Sequence, residues 1–216
     1  MINLYNMDCM EAMRDMEDNQ YDLAIVDPPY GLKRLSVVEN KNPDSKFRRS
    51  MAKIVESSNG WNHLKPTPEY FAELFRVSKE QIVWGANNFT LPESEYFCIW
   101  DKFQTVDNFA SAEYAWVSGN FWKKPAKVFR KQIHSINGTE EKIHPTQKPV
   151  KLYEWLLKNY AKEGDKILDT HGGSMSIAIA CHNMGFDLDL YEIDEDYFKA
   201  GKARLEEHQN QQRLFA

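Results

Sequence analysis

Short apolar runs and helical periodicities alternate along this chain, and their order predicts a layered α/β protein. Residues 2–5 and 21–26 read as strands, the second a nearly unbroken apolar run of the kind buried on both faces of a parallel sheet. Between them, residues 9–16 carry a helical spacing. A second helix is expected over 68–77, with Pro68 in its first turn, and then a strand over 81–84 stopped by Gly85. Three β-rich stretches follow at 96–100, 113–117 and 127–133. A helix after Pro149 runs to about residue 161, and strand, helix and strand succeed one another at 166–168, 174–184 and 187–191. Asp194 is placed to cap a last helix reaching about residue 208. Residues 31–66 hold no sustained periodicity and read as a long, mobile, basic loop. With no internal repeat and no separating linker, residues 1–216 are expected to form one domain around a mostly parallel sheet.

Composition narrows this only slightly. Hydrophobic residues make up 42% of the 216, enough for a substantial core. No run of about 18 apolar residues predicts a membrane span, and the first residues do not read as a signal peptide. Cys9, Cys98 and Cys181 lack metal-ligand or disulfide spacing, so neither metal nor disulfide is expected and the compartment reads as cytoplasmic. The net charge of -5 conceals an uneven distribution. Residues 31–53 carry seven Lys/Arg against two acids, and residues 120–151 eight against two, whereas the remainder has 12 basic and 28 acidic residues. Such a pattern suits either a face that follows phosphates or plain solvated loops.

The first candidate site is Asp27-Pro28-Pro29-Tyr30, directly after the 21–26 strand. Two prolines end the strand and stiffen the turn, at the sheet edge where open α/β folds bind ligands. A planar molecule bearing an exocyclic amine would donate to the Asp27 carboxylate and the Pro28 carbonyl and stack on Tyr30. The same residues also suit a turn in which Asp27 merely caps a helix. The second candidate is Asp169-Thr170-His171-Gly172-Gly173-Ser174-Met175, between a strand and a helix, with Glu192 closing the next strand. A glycine turn there admits a nucleotide-like ligand against backbone N–H groups, and an acid at Glu192 can accept from a ribose diol. No phosphate-cradling lysine motif accompanies it, so an adenosine without a phosphate tail fits best; a turn used only for packing is the alternative.

Taken together and in order, these motifs resemble the amino-methylating DNA methyltransferases of the permuted β group. The resemblance extends to Asp8 after the first strand, to His144-Pro145-Thr146-Gln147-Lys148-Pro149, and to Tyr191-Glu192-Ile193-Asp194 with Tyr197. It implies a Rossmann-like S-adenosylmethionine-dependent fold, a mostly parallel seven-stranded sheet of order 3-2-1-4-5-7-6, and a circularly permuted motif order in which the catalytic segment precedes the cofactor loop. It further implies Asp27, Pro28, Pro29 and Tyr30 as catalytic. Asp8, Asp27, His144, Thr146, Lys148, Asp169, His171, Gly172, Gly173, Ser174 and Glu192 would bind S-adenosyl-L-methionine, with no metal. The cofactor loop departs from the family's Asp-Pro-Phe-x-Gly-Ser-Gly at Thr170, His171 and Met175, the last placing a Cβ where backbone usually approaches the ligand.

The implied substrate is the N6 amine of an adenine flipped out of double-stranded DNA. The cytosine N4 amine comes second, and a DNA-binding relative without turnover third. Basic loops then acquire roles. Lys33, Arg34, Arg48 and Arg49 would order over DNA. A target-recognition region over about 101–140 would contribute Asp101, Lys102, Lys123, Lys124, Lys127 and Arg130, with Phe121 and Trp122 for base stacking. The resemblance implies a bacterial or phage source; such relatives are often homodimers, and a restriction endonuclease partner is not readable from one chain.

Overall fold

The structure is a computed structural model that describes residues 1–31, 65–103, 110–119, 126–130, 143–144 and 146–214. Lys33, Arg34, Arg48, Arg49, Lys123 and Lys124, and most of the basic loop and target-recognition region assigned from sequence, lie outside the described residues. In chain order the elements are β1 (Ile2–Tyr5), α1 (Cys9–Arg14), β2 (Tyr21–Val26), α2 (Pro68–Val77), β3 (Ser78–Trp84), β4 (Phe97–Asp101), β5 (Ala112–Val117), β6 (Ala126–Arg130), α3 (Val150–Tyr160), β7 (Lys166–Asp169), α4 (Ser176–Met184), β8 (Asp187–Tyr191) and α5 (Glu195–Leu214). Among these described helices, none is long and apolar enough to cross a membrane.

All eight strands join one sheet in the order β1-β8-β7-β2-β3-β5-β4-β6. The first five are mutually parallel, and β5 runs antiparallel to both β3 and β4. Seven of these strands fall in the order expected from the motifs. The expectation of seven in total is corrected by β6, which pairs in parallel with the outer edge of β4, from Phe97 opposite Ala126 to Asp101 opposite Arg130. This pairing exists because residues 126–130 alternate, burying Phe129 while Val128 and Arg130 face outward, and so can lie on one edge with a single buried face. The last helix is also longer than its pattern suggested, continuing to Leu214.

Strand alternation divides the core. On one face Leu23, Ile25, Ile82 and Trp84 pack with α3 and α4. On the other, Ala24, Val26 and Val83 pack with α1 and α2, whose Tyr70, Phe71, Leu74 and Val77 recur at helical spacing. Full burial of such side chains stabilises by roughly 1.5–3 kcal/mol each, which fixes β2 centrally between two helical layers. Helix starts follow their sequence signals. The Asp8 carboxylate accepts from Met10 N at 2.8 Å, Pro68 opens α2, and Asp194 Oδ1 accepts from the N–H groups of Asp196 and Tyr197. These layers leave the ends of β2 and β7, neighbours in the sheet, facing one opening.

Candidate active site

A cavity of about 310 Å³ lies at that opening. Asp8, Asp27, His144, Thr146, Lys148, His171, Gly172, Gly173, Ser174 and Glu192 line it, together with Pro29, Tyr153 and Tyr197. Of the residues assigned to a cofactor from sequence, Asp169 is the exception, buried below the lining at 2% exposure. The structure therefore brings together segments separated by more than a hundred positions.

The floor is built by the loop after β7. Gly172 N donates to Tyr191 O at 2.8 Å, drawing the loop against β8 so closely that a Cβ at Gly172 would run into the Leu190 side chain. Gly173 N donates to Glu192 Oε2 at 2.7 Å and Asp194 N to Oε1 at 2.8 Å, so Glu192 is oriented by backbone donors. Burial raises its pKa against those bonds. Thr170 and His171, two of the three departures from the family pattern, act together. Thr170 Oγ1 is 2.7 Å from the buried Tyr70 hydroxyl and 2.9 Å from His171 Nδ1, while the His171 ring meets Tyr70 edge-on. Burial lowers the His171 pKa to about 4, so the ring is neutral near pH 7. Met175 corrects an expectation: it adopts φ 55° and is fully buried, its side chain packed against Gly201 of α5 rather than lining the cavity. The αL turn directs that Cβ away from the opening.

The wall is the loop after β2, and no described helix begins at Asp27. Tyr30 Oη donates to Asp27 Oδ1 at 2.7 Å, and Lys148 Nζ donates to Asp27 Oδ2. A Cβ at Gly85 would strike the Tyr30 ring, so that glycine, at φ 65°, lets the ring lie against the end of β3. Lys148, 3% exposed, also lies 3.2 Å from Glu113 Oε2, and Glu113 Oε1 accepts from Lys102. An alternating chain of two ammonium and three polar anionic or phenolic groups thus runs from Lys102 to Tyr30. The flanking carboxylates raise the Lys148 pKa despite burial, and the two lysines lower that of Glu113.

Sequence reasoning missed Glu113 and Tyr153. Nothing in the spacing of a β5 strand reading Ala-Glu-Tyr-Ala-Trp-Val marks its Glu as a partner of Lys148. Lys148 was assigned to the cofactor, and it does line the cavity, but it ion-pairs with the carboxylates of Asp27 and Glu113. Among the DNA-contact candidates, Lys102 is turned inward onto Glu113, 13% exposed. Lys127 donates to Asn159 of α3 at 2.6 Å. Asp101 accepts from Phe103 N and lies 3.7 Å from the guanidinium of Arg130, which is exposed.

Comparison with known proteins finds similarity to DNA methyltransferases. Residues 111–203 match the model of the N6_N4_Mtase family, described as DNA methylase. Over those residues, less than half of its length, the chain resembles the N6/N4 amino DNA methyltransferases. It is 24% identical to the type II methyltransferase M.HpaI of Haemophilus parainfluenzae, over 93% of this chain and 73% of that protein. Against the type II methyltransferase M2.DpnII of Streptococcus pneumoniae it is 27% identical over 68% of this chain, spanning 49% of that protein. Among solved structures, the M1.HpyAVI–SAM complex superposes with a TM-score of 0.58 at 19% identity, covering 94% of this chain and 100% of that one. The cytosine-N4-specific PvuII DNA methyltransferase gives 0.59 at 12% identity, covering 97% and 90%. These likenesses establish the Rossmann-like methyltransferase fold.

Proposed function

We propose that this protein transfers a methyl group from S-adenosyl-L-methionine to the N6 amine of an adenine in double-stranded DNA. One observation carries the reading: the Asp27 carboxylate, held from behind by the Tyr30 hydroxyl, shares the cavity with the Gly172-Gly173-Ser174 turn and Glu192. The donor set suits this cofactor. Carboxylates at Asp8, Asp27 and Glu192 surround a space with a backbone glycine turn, which favours a ligand bearing a ribose diol and positive charge over a polyphosphate. Glu192 with the glycine turn would hold the ribose, Asp8 the adenine amine, and the His144–Lys148 segment the methionine end. When bound, the cofactor supplies an electrophilic sulfonium methyl.

The residues of this chain then do the rest. An aromatic amine is a weak nucleophile because its lone pair is delocalised into the ring. Donation from the amine to Asp27 and the Pro28 carbonyl favours a tetrahedral nitrogen, and Tyr30 holds the ring by stacking. Orientation and fixed charge supply the acceleration, without covalent attack. Reaching such a base requires its extrusion from the duplex. Residues 1–216 act in this reading as one methyltransferase domain in which segment order is permuted, the basic segments near 31–66 and 101–140 contact DNA, and the reaction takes place in the cytoplasm.

The cytosine N4 amine is the second reading, since the PvuII enzyme shares the fold and is cytosine-N4-specific. The initial aspartate of Asp27-Pro28-Pro29-Tyr30 favours adenine, because the family's cytosine members more often begin this segment with serine. The test is transfer of radiolabel from S-adenosylmethionine to unmethylated duplex DNA, followed by nucleoside analysis, with Asp27→Ala as control. Labelled N6-methyladenine that disappears in the variant supports the proposal. N4-methylcytosine replaces it with the second reading, and no label in either nucleoside overturns both.

A further inference from the structure

The ion chain behind Asp27 suggests more than static support. Both Asp27 oxygens already have donors, Tyr30 on Oδ1 and Lys148 on Oδ2, before any amine arrives. A target nitrogen gaining a methyl also gains positive charge in the transition state. An ammonium pinned to the same carboxylate would draw on that anion and repel the developing charge. Simply expelling Lys148 would strand a buried cation, which costs several kcal/mol. A second acceptor is already in place. Glu113 Oε2 lies 3.2 Å from Lys148 Nζ, yet it is buried and accepts no well-directed hydrogen bond, while Oε1 is occupied by Lys102. The Trp84 ring, 5.5 Å from Nζ, lies alongside this position.

We infer that Lys148 is a two-position positioning residue: it holds Asp27 in the free enzyme and passes to Glu113 Oε2 as the target amine takes its place. This inference rests on the methyltransferase reading. The ammonium keeps its proton throughout, giving up Asp27 while tightening onto Glu113, which it already faces, so it is never left without a carboxylate partner. Asp27 is then free to face the nitrogen, and Glu113 acts only through Lys148.

The experiment measures kcat, the KM for DNA and the Kd for S-adenosylmethionine in the wild type, Glu113→Gln, and Glu113→Gln with Lys148→Met, with rates normalised to cofactor-binding sites. Glu113→Gln removes the negative charge that would receive the ammonium, so kcat should fall by about tenfold or more while Kd and KM stay within about twofold. Removing the trapped ammonium in the double variant should recover most of that loss. A merely structural role for Glu113 predicts no recovery, so a double variant as slow as Glu113→Gln overturns the inference, as does an unchanged kcat in Glu113→Gln. Should Glu113→Gln fail to bind cofactor, Glu113→Asp decides. It keeps the charge but retracts the acceptor by one methylene, and it should lower kcat with unaltered Kd; wild-type kcat there overturns the inference. Absence of transfer by the wild type overturns the functional reading and this inference with it, whereas transfer with these variant outcomes reversed overturns the inference alone.

Discussion

Two adjacent parallel strands, β2 and β7, each lead into an aspartate at the same edge of the sheet, and the two carboxylates fare oppositely. Asp27 stands at the cavity wall with Lys148 and Tyr30 as donors. Asp169, one strand over, is buried and accepts from His171 N at 3.0 Å, and no lysine or arginine among the described residues forms an ion pair with it. Burial pushes its pKa up to about 8, against the His171 bond, and the charges of Asp27 and Glu192 push the same way. One residue type at one topological position therefore supplies two chemistries, an anion facing the ligand and a largely neutral acid beneath it. What separates them is direct contact with a single lysine: Lys148, on the segment before α3 and flanked by Glu113 of β5, ion-pairs with Asp27, whereas it acts on Asp169 only as a more distant charge.

The sharpest way to break the contrast is at Asp27 itself. Asp27→Ala removes the acceptor for the amine and should lower transfer by about 10²–10³-fold, the range seen when one preorganised polar group is lost from a reaction site. The Kd for S-adenosylmethionine, measured by calorimetry, should change much less. Equal transfer by the variant would move catalysis away from this loop. Lys148→Met acts on stability. It strands the Asp27 and Glu113 carboxylates, which are 18% and 23% exposed, and should destabilise the fold by about 3 kcal/mol in urea unfolding. A loss near zero would mean that Asp27 and Glu113 are solvated without it.

The loop after β7 was more legible in sequence than the loop after β2, for a physical reason. Its glycine turn and Glu192 act through backbone contacts between consecutive elements, which spacing records. The order of the strands came instead from the family resemblance, which spacing alone does not supply. Asp27 was equally recognisable, but Lys148 lies 121 positions away and Glu113 sits in a strand whose role depends on sheet register. No local pattern encodes such a meeting. The stretch that forms β6 was legible as β-rich, but its place in the sheet was not, because its pairing is decided by a free edge on β4. Met175 shows the reverse failure, because a side chain read as an obstruction is turned into the core by an αL backbone.

That turn can be tested. Met175→Gly relieves the left-handed strain, worth about 1 kcal/mol, but opens a cavity beside Gly201 worth about 3 kcal/mol. The net expectation is a loss of about 2 kcal/mol in urea unfolding, with cofactor affinity within about twofold of wild type. A large gain in affinity would show that the Met175 side chain does obstruct the ligand.

The smallest effect per unit change is the most direct test of the two aspartates. Because Asp169 has a folded-state pKa near 8 against 3.8 for the ordinary carboxyl, the native state retains a proton that the unfolded state has lost between about pH 4 and pH 8. Unfolding then releases a proton, so the contribution of this residue to stability falls as pH rises, by up to about 1.4 kcal/mol per unit, and levels off above pH 8. Asp169→Asn cannot release that proton. Urea midpoints at pH 6 and pH 8 should therefore show the wild type losing stability relative to Asp169→Asn over this interval, whatever other groups titrate in both proteins. A constant difference between the two proteins over this interval would make Asp169 an anion like Asp27. That result would remove the distinction between a charged wall and a neutral floor, leaving orientation alone to separate the two loops.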